Sequence, residues 1–227
     1  MKKLINACKI ITYFLSLPKS LYVCFRLLPL RQAFKLPILV RYNVNCFSLK
    51  GSAIVSNSAF FGGIKIGFKG VGTQDVRYQR SVLEINGVIE FKGRAVLGSG
   101  CQIHVGSQGH LILGNNFLNT STGHITCSST ISFGTNALLA WDTLVMDSDF
   151  HEIEEVESGK IIPMTKPITI GHKVWLGTRS VVLKGTEIGN NTIVGATSTV
   201  SGKFIEENCI IAGSPAKVIK RNYRRKL

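Results

Sequence analysis

Aliphatic residues recur at every sixth position through the last third of the chain. A period of six matches neither the 3.6-residue turn of an α-helix nor the two-residue alternation of an isolated strand, so it indicates a repeat architecture. We interpret each step as a short strand with one inward aliphatic side chain, and the whole pattern as a hexapeptide β-helix. The six positions are Ile170, Leu176, Val182, Ile188, Val194 and Val200, and four of them are followed by Gly171, Gly177, Gly189 and Gly195.

The hexad pattern also predicts how each step is stabilised. Burial of one aliphatic side chain contributes about 1.5–3 kcal/mol, so six of them contribute on the order of 10 kcal/mol before conformational entropy is subtracted. One step alone would not fold. The glycine that follows four of the aliphatic residues is predicted to supply the bend, because glycine adopts positive φ without steric cost.

The same spacing returns upstream, so the repeat covers roughly residues 60–213. Around 106–114 and 119–131 the steps are irregular, which predicts β-bulges or short loops. A β-sandwich is the alternative, but such a fold has no reason to keep one period through six steps. The upstream positions are Ile85, Phe91, Leu97 and Ile103, followed by Phe133, Leu139 and Val145.

Composition is consistent with one principal β domain. The chain has 227 residues, is 44% hydrophobic, and contains 23 Gly and only 6 Pro. The prediction is an N-terminal segment (1–45), a β-helix (46–215) with an irregular loop (152–167), and a basic tail (216–227). The six Cys form no C-x-x-C pair, which indicates reduced thiols in a cytosolic protein rather than a disulfide or zinc framework.

Positive charge is concentrated at both ends. The net charge is +14, residues 1–41 hold eight Lys or Arg and no acid, and the first acidic residue is Asp75. This imbalance favours anionic partners such as lipid head groups, nucleotide phosphates or acidic glycans. Nucleic acid is disfavoured, since the tail 220–226 carries Tyr223 as its only aromatic residue and no zinc-finger, KH or RNP motif is present.

The N-terminal segment is apolar and basic. Leu4–Leu17 is interrupted by Lys9, and Leu21–Leu30 contains Arg26, which makes either stretch too short and too charged for a standard spanning helix. No small-residue cleavage site of a signal peptide follows. Two interpretations stay open: peripheral contact of residues 1–30 with the inner face of the membrane, or a helix that caps the β-helix. The predicted location is cytoplasmic.

Candidate chemistry lies where the hexad pattern stops. Asp147-Ser148-Asp149-Phe150-His151 follows directly after the Val145 step and precedes a segment without the period, Glu152–Pro167. A neutral imidazole can accept a proton from a substrate hydroxyl. The spacing predicts His151 as a general base, with Asp147 or Asp149 orienting its ring.

Two stretches resemble bacterial hexapeptide-repeat O-acetyltransferases of the sugar and polysaccharide type, related to the maltose and galactoside enzymes. They are Lys166–Gly177 (KPITIGHKVWLG) and Ala212–Ile219 (AGSPAKVI). The resemblance implies an all-β, left-handed parallel β-helix that forms a homotrimer. It also implies acetyl transfer from acetyl-CoA to a hydroxyl of a sugar or glycan in surface polysaccharide or lipid-linked glycan synthesis, with no covalent acyl-enzyme.

The resemblance also implies roles for single residues. His151 is the expected base, although Ser148 stands where many relatives have a first His, and His172 is a second candidate. The expected acetyl-CoA contacts begin with Trp175, for which packing at a subunit interface is the alternative. The other expected cofactor contacts are Thr178, Gly195, Ala196, Ser201, Lys203 and Lys217.

Two other functions stay open at this point, and a third is disfavoured. One is acetyl transfer to a serine or an amino sugar, and the other is a catalytically silent scaffold at the membrane surface. A γ-class carbonic anhydrase would need three histidines around zinc, but the nearest pair, His104 and His110, is six residues apart and so points to successive faces. No metal is therefore expected.

Overall fold

The computed structural model describes residues 2–57, 59–72, 74–75 and 78–226, with side chains from residue 10 onward. Helix α1 (Lys2–Leu27) is followed by the short α2 (Leu30–Ala33). All remaining regular structure in these residues is β, and its strands form three long sheets and one hairpin. The predicted parallel β-helix is confirmed.

Each sheet receives one strand from every turn of the chain. Sheet A contains β1 (Ile38–Val40), β4 (Ile64–Ile66), β7 (Ala95–Leu97), β10 (Phe117–Asn119), β13 (Leu138–Leu139), β18 (Trp175–Leu176), β21 (Ile193–Val194), β24 (Cys209–Gly213) and β25 (Ala216–Arg221). Sheet B contains β2 (Asn45–Ser48), β5 (Val82–Ile85), β8 (Gln102–Val105), β11 (His124–Cys127), β14 (Leu144–Met146), β19 (Val181–Val182) and β22 (Thr199–Val200). Sheet C contains β3 (Ser52–Val55), β6 (Val88–Phe91), β9 (His110–Leu113), β12 (Thr130–Phe133), β17 (Ile168–Ile170), β20 (Glu187–Ile188) and β23 (Lys203–Phe204).

Three successive strands make one coil of a three-sided prism. Coils 1 to 4 are β1–β3, β4–β6, β7–β9 and β10–β12, coil 5 is β13, β14 and β17, and coils 6 and 7 are β18–β20 and β21–β23. β24 begins an eighth coil. We name the turns from sheet A to B the AB corner, those from B to C the BC corner, and those from C to A the CA corner.

The hexad residues form the core as predicted. All six positions from Ile170 to Val200 are buried, as are the upstream positions from Ile85 to Val145. They stack in register between coils: Ile170 lies opposite Ile188, and Leu176 lies opposite Val194. Each coil therefore covers the aliphatic side chains of the coil before it, which explains why the period must be kept.

The glycines after the aliphatic positions do not make the bend, which corrects the predicted mechanism. Left-handed backbone falls three residues after the aliphatic position instead, for example at Lys173 (φ 59°), Arg179 (φ 57°) and Asn191 (φ 57°). A Cβ atom on Gly177 would lie 2.6 Å from the carbonyl oxygen of Val194. Glycine is required there because the next coil passes too close for a side chain.

The irregular spacing near residues 106–131 has a simpler cause than a bulge. Strand β11 pairs with β8 in unbroken register, and β12 pairs with β9 in the same way. The strands of these coils are four residues long in sheets B and C, whereas those of coils 6 and 7 have two. Longer strands and turns, rather than an extra unpaired residue, displace the hexad count.

Helix α1 closes the first end of the prism. Val23, Cys24 and Leu27 are buried against the first coil, and the hydroxyl of Ser20 accepts a hydrogen bond from the N–H of Val40 at 2.9 Å. The ammonium group of Lys19 donates to two carbonyl groups of the turn after β1. The β-helix thus begins at β1, earlier than residue 46.

The two apolar stretches join in one continuous helix, and part of it is long and apolar enough to cross a membrane, contrary to the expectation from either stretch alone. Residues Ile10–Leu27 have a mean hydropathy of 1.2 and sufficient length, but 28% of the stretch is buried inside the protein. The helix is therefore two-sided, with one face packed on the coils and an apolar face exposed to solvent.

The other end of the prism and the irregular loop are both closed by antiparallel pairing. Strand β25 reverses direction and pairs with β24. The tail then crosses the CA corner, where the guanidinium of Arg225 donates to the carbonyl of Asn136 at 2.7 Å. The predicted loop 152–167 contains an exposed hairpin of β15 (Ile153–Glu155) and β16 (Lys160–Ile162).

Candidate active site

The chain leaves the prism at the BC corner of coil 5 and returns after residue 167. The base of this excursion is a tied neck: Ser148 bridges to Thr165 in antiparallel fashion, and the N–H of Lys166 donates to the carbonyl of Asp147 at 3.0 Å. Just beyond the neck, Phe150 takes a left-handed conformation (φ 61°) and His151 follows. The imidazole is thereby exposed at a fixed point beside the corner.

Asp147 has a structural role in the preceding coil. Its side chain is fully buried, and its two carboxylate oxygens accept hydrogen bonds from the N–H groups of Ser128 and Ser129 at 2.7 and 2.8 Å. Charge-assisted bonds of this kind hold a turn firmly, because a buried carboxylate needs full hydrogen bonding. The carboxylate is directed into the BC turn of coil 4.

Asp149 is held by the following coil. Its carboxylate forms an ion pair with Lys184, whose side chain is mostly buried and also donates to the carbonyl of Pro163 at 2.7 Å. Lys184 therefore joins both limbs of the loop to coil 6. Within the described chain, neither carboxylate bonds to the ring of His151, which corrects the expectation that one of them orients it.

His151 itself has no hydrogen-bond partner in the described residues, and its side chain is exposed. A free imidazole nitrogen can accept a proton from a hydroxyl without losing an existing contact.

Four expected cofactor residues lie together on the AB side. Trp175 points outward from sheet A, and Thr178 occupies the AB corner of the same coil. Gly195 and Ala196 occupy that corner one coil further, and the N–H of Thr197 donates to the carbonyl of Thr178 at 2.8 Å. The corner turns thus form a line parallel to the prism axis.

Lys217 extends this AB line towards the C-terminal end of the prism. It lies in β25 opposite Ala212, at the end of sheet A, and its side chain is exposed. An ammonium group there is available to an anion.

Two other expected residues lie elsewhere. Ser201 is exposed at the BC corner of coil 7, and Lys203 projects from sheet C, where its ammonium group lies 2.7 Å from the carboxylate of Glu187. They share the BC corner with the His151 loop. The structure therefore separates the expected site residues into an AB group and a BC group.

Trp141 was missed by the sequence reasoning. It is exposed at the AB corner of coil 5, where its carbonyl accepts a bond from the N–H of Arg179. Its position in the repeat could have identified it, because Trp141 lies two residues after the buried Leu139. Thr178 and Ala196 likewise lie two residues after a buried aliphatic residue, Leu176 and Val194. The same turn position in successive coils places all three on one line.

His172 holds a turn. Its ring nitrogen Nδ1 accepts a hydrogen bond from the N–H of Thr135 at 3.0 Å, and its own N–H donates to the amide oxygen of Asn190 at 2.7 Å. It lies on the CA corner, whereas the His151 loop lies on the BC corner. This geometry favours His151 over His172 as the reactive histidine.

Two of the other histidines each lie close to one acid. His104 Nδ1 lies 2.9 Å from Glu84, and His110 Nε2 lies 3.3 Å from Glu90, on different sheets. In the part of the chain with described side chains, no group of three or more His, Cys, Asp or Glu is arranged to hold a metal ion.

Four of the cysteines are poor nucleophiles. Burial raises the pKa of Cys101 to about 12, and burial together with the nearby Asp147 carboxylate raises the pKa of Cys127 to about 12. Burial also raises the pKa of Cys24 and Cys46. Since the thiolate is the reactive form, these positions do not favour a covalent acyl-cysteine.

Comparison with known proteins gives consistent similarities. The family model described as "Bacterial transferase hexapeptide (six repeats)" matches residues 167–202. The chain is 33% identical over 151 residues to the lipopolysaccharide biosynthesis O-acetyl transferase WbbJ of Escherichia coli K12, covering 63% of this chain and 76% of WbbJ. It is 34% identical to the galactoside O-acetyltransferase of the same organism, over 48% of this chain and 52% of that enzyme.

A solved structure extends the similarity to the fold. The polySia specific acetyltransferase NeuO superimposes with a TM-score of 0.54 at 20% identity, covering 84% of this chain and 79% of NeuO. At this identity the superposition shows a shared architecture.

Proposed function

Because this chain belongs to the hexapeptide-repeat O-acetyltransferases, a family of left-handed parallel β-helix enzymes, we propose that its reaction takes place between two subunits of a homotrimer. The predicted family is confirmed. The enzyme uses acetyl-CoA as co-substrate and acetylates a sugar hydroxyl in glycan biosynthesis, in line with relatives named for lipopolysaccharide and galactoside acetyl transfer.

The separation of the AB and BC groups supports a site shared by two subunits. In a cyclic trimer each interface is heterologous, so two different surfaces of the same chain meet. If the AB corner of one subunit faces the BC corner of the next, Trp175 and the His151 loop line one cleft. Lys203 and Ser201 then approach the cofactor held by the neighbouring subunit.

The proposed chemistry is direct transfer. His151 removes the proton from the acceptor hydroxyl while the hydroxyl oxygen attacks the thioester carbon. This attack forms a tetrahedral intermediate. The intermediate expels the thiolate of coenzyme A, and this thiolate takes the proton from the imidazolium. General base catalysis by a positioned histidine contributes typically about 10²–10⁴-fold to the rate.

The proposed cofactor path follows the AB line. The pantetheine arm lies along Gly195 and Ala196, with Thr178 beside it and Trp175 closing the channel. Lys217 pairs with a phosphate of coenzyme A, which is a charge-assisted contact. Lys203 reaches the nucleotide end by exchanging its contact with Glu187 for a phosphate.

We also propose that the enzyme works at the inner face of the membrane. The outer face of α1 exposes large apolar side chains, including Leu15 and Tyr22, and residues 1–74 contain no acidic residue. Such a surface suits an anionic bilayer, with apolar groups in the interface and cations at the head groups. Contact there would bring lipid-linked glycans within reach.

The test is coenzyme A release by purified protein across a panel of glycans, amino sugars and serine. We expect turnover with a sugar hydroxyl acceptor and a loss of about 10²-fold or more in His151→Ala. His124→Ala, which removes another exposed histidine, should keep full activity. Absence of cofactor binding and of turnover throughout the panel would reject the enzyme in favour of a silent scaffold.

A further inference from the structure

An open apolar groove lies where α1 meets the first two coils. Its volume is about 470 Å³, within the range of small-molecule sites, and its walls include Tyr13 and Phe14 from the helix and Phe61 and Phe68 from the coils. The rings of Tyr13 and Phe68 stack at 4.8 Å. This contact joins helix and coil, so the groove has one fixed wall.

The groove exposes more apolar surface than the fold requires. Phe14 is 67% exposed and Phe61 is 59% exposed, whereas Phe91 and Phe117 of the core are buried. Contiguous exposed apolar surface on a water-soluble domain marks an interaction site. The aromatic walls suit a hydrocarbon chain.

A cationic cavity adjoins the groove. Phe60 lines both, and the second cavity has a volume of about 290 Å³ and contains Arg94 and Asn115. The guanidinium carbon of Arg94 lies 5.1 Å from the centre of the Phe60 ring. Among the described residues, this side chain forms no ion pair with an acid. A guanidinium in this state can bind a phosphate through two parallel hydrogen bonds.

The charge around the groove also favours a ligand with a negatively charged group. Lys65 places its ammonium group 5.8 Å from the ring of Tyr13, at the groove, and no acid occurs in residues 1–74. An apolar groove beside a cationic cavity is complementary to an amphiphile with a negative head.

We propose that the two cavities hold one phosphate-headed membrane lipid, with its hydrocarbon chain in the groove and its phosphate at Arg94. The inference rests on the proposed membrane contact and adds a specific lipid site to it. Binding of one such lipid would fix α1 at the bilayer surface and set the orientation of the prism. The ligand class is therefore an anionic phospholipid taken from the membrane.

The direct test uses the full chain and n-dodecyl phosphate below its micelle concentration, with uncharged n-dodecyl maltoside as the comparison ligand. We expect saturable binding of the phosphate by calorimetry and much weaker binding of the maltoside. Arg94→Gln should weaken phosphate binding about tenfold or more, because a charge-assisted contact is lost. Phe61→Ser should weaken both ligands.

Matched controls keep the result specific. Lys50→Gln and Phe47→Ala each remove an exposed side chain of the same kind from outside the two cavities and should bind like the wild type. Equal binding of both ligands, or an unchanged affinity in Arg94→Gln, would overturn the proposal. So would vesicle binding without any binding of dodecyl phosphate, which would leave general membrane contact intact.

The same measurements separate this inference from the proposed function. Sedimentation with vesicles of phosphatidylcholine and phosphatidic acid tests the membrane contact by itself. Binding of dodecyl phosphate does not need catalysis, so His151→Ala should bind it as well as the wild type. Loss of phosphate binding in that variant would contradict a site at Arg94.

Discussion

The ammonium group of Lys184 in coil 6 forms an ion pair with the carboxylate of Asp149 at the neck of the His151 loop. Lys184 also donates to the carbonyl of Pro163 on the returning limb. One mostly buried cation thus ties both limbs to the prism. We conclude that the position of His151 depends on a residue one coil away from it.

The first prediction concerns the contacts of Lys184 with the two limbs of the loop. Lys184→Met keeps the length of the side chain and removes its charge, so the loop should loosen while the prism stays folded. We expect kcat/KM for the acceptor to fall about tenfold, since small misplacements of a catalytic group are costly. Lys160→Met on the exposed hairpin is the control. Unchanged kinetics in Lys184→Met would show that the loop is held by other contacts.

The second prediction concerns the shared site. His151→Ala and Trp175→Ala should each be nearly inactive alone, because each removes one side of the cleft. After the two proteins are unfolded together and refolded, mixed trimers should recover activity, because about a quarter of the interfaces then combine both native residues.

The refolding experiment has its own control. The two variants mixed without unfolding should stay inactive, since subunits do not exchange between intact trimers. If enzymatic activity does not recover after joint refolding, although light scattering shows that trimers have formed, His151 and Trp175 lie in separate sites.

The third prediction concerns alkaline stability. Cys101 and Cys127 have pKa values of about 12 in the folded protein, against 9.0 for an ordinary thiol. Below pH 9 both states hold the protons, so stability does not depend on these groups. Between pH 9 and 12 the unfolded chain loses them first, so the free energy of unfolding should decrease by about 1.4 kcal/mol per pH unit for each thiol.

Urea unfolding from pH 8 to 11 measures this decrease. The double variant Cys101→Ala and Cys127→Ala should start from lower stability and show a smaller slope above pH 9. An identical slope in the variant would assign the alkaline loss to other groups.

The fourth prediction concerns the close approach of coils. Gly177→Ala places a Cβ 2.6 Å from a backbone oxygen of the next coil, so the backbone must shift. We expect a loss of about 1–3 kcal/mol in the free energy of unfolding. Gly72→Ala, where the new methyl group meets nothing within 4 Å, should be nearly neutral. Equal effects at both positions would contradict the close-approach explanation.

The fifth prediction concerns the membrane. Deletion of residues 1–30 is a poor test, because Val23, Cys24 and Leu27 belong to the core. Leu15→Glu with Tyr22→Glu instead changes only the outer face, seven residues apart on one side of α1. We expect the protein to move from the membrane to the soluble fraction, while Val156→Glu on the hairpin leaves it in place.

The hexad spacing was sufficient to predict the core of the later coils, because each two-residue strand from β18 to β22 buries one aliphatic residue. Ile170, Leu176 and Val182 each occupy the position that the period requires. Spacing carries the register of strands, and in a repeat the register determines the packing.

The partners of polar side chains could not be read in the same way. Asp147 is close to His151 in sequence, yet its carboxylate bonds to Ser128 and Ser129 in the coil below. The role of Gly177 likewise depends on a neighbouring coil, three hexads away. Contacts between coils determine these roles, and a short stretch of sequence does not reveal such contacts.

The two ends of the prism bear on how the protein avoids self-association into fibres. Parallel sheets with open edges can add strands from another molecule without limit. Here Ser20 of α1 already occupies a backbone donor of β1, and β25 covers β24 from the opposite direction. The last strands of sheets B and C are only two residues long and offer little to pair with. These features disfavour end-to-end polymerisation of the chain.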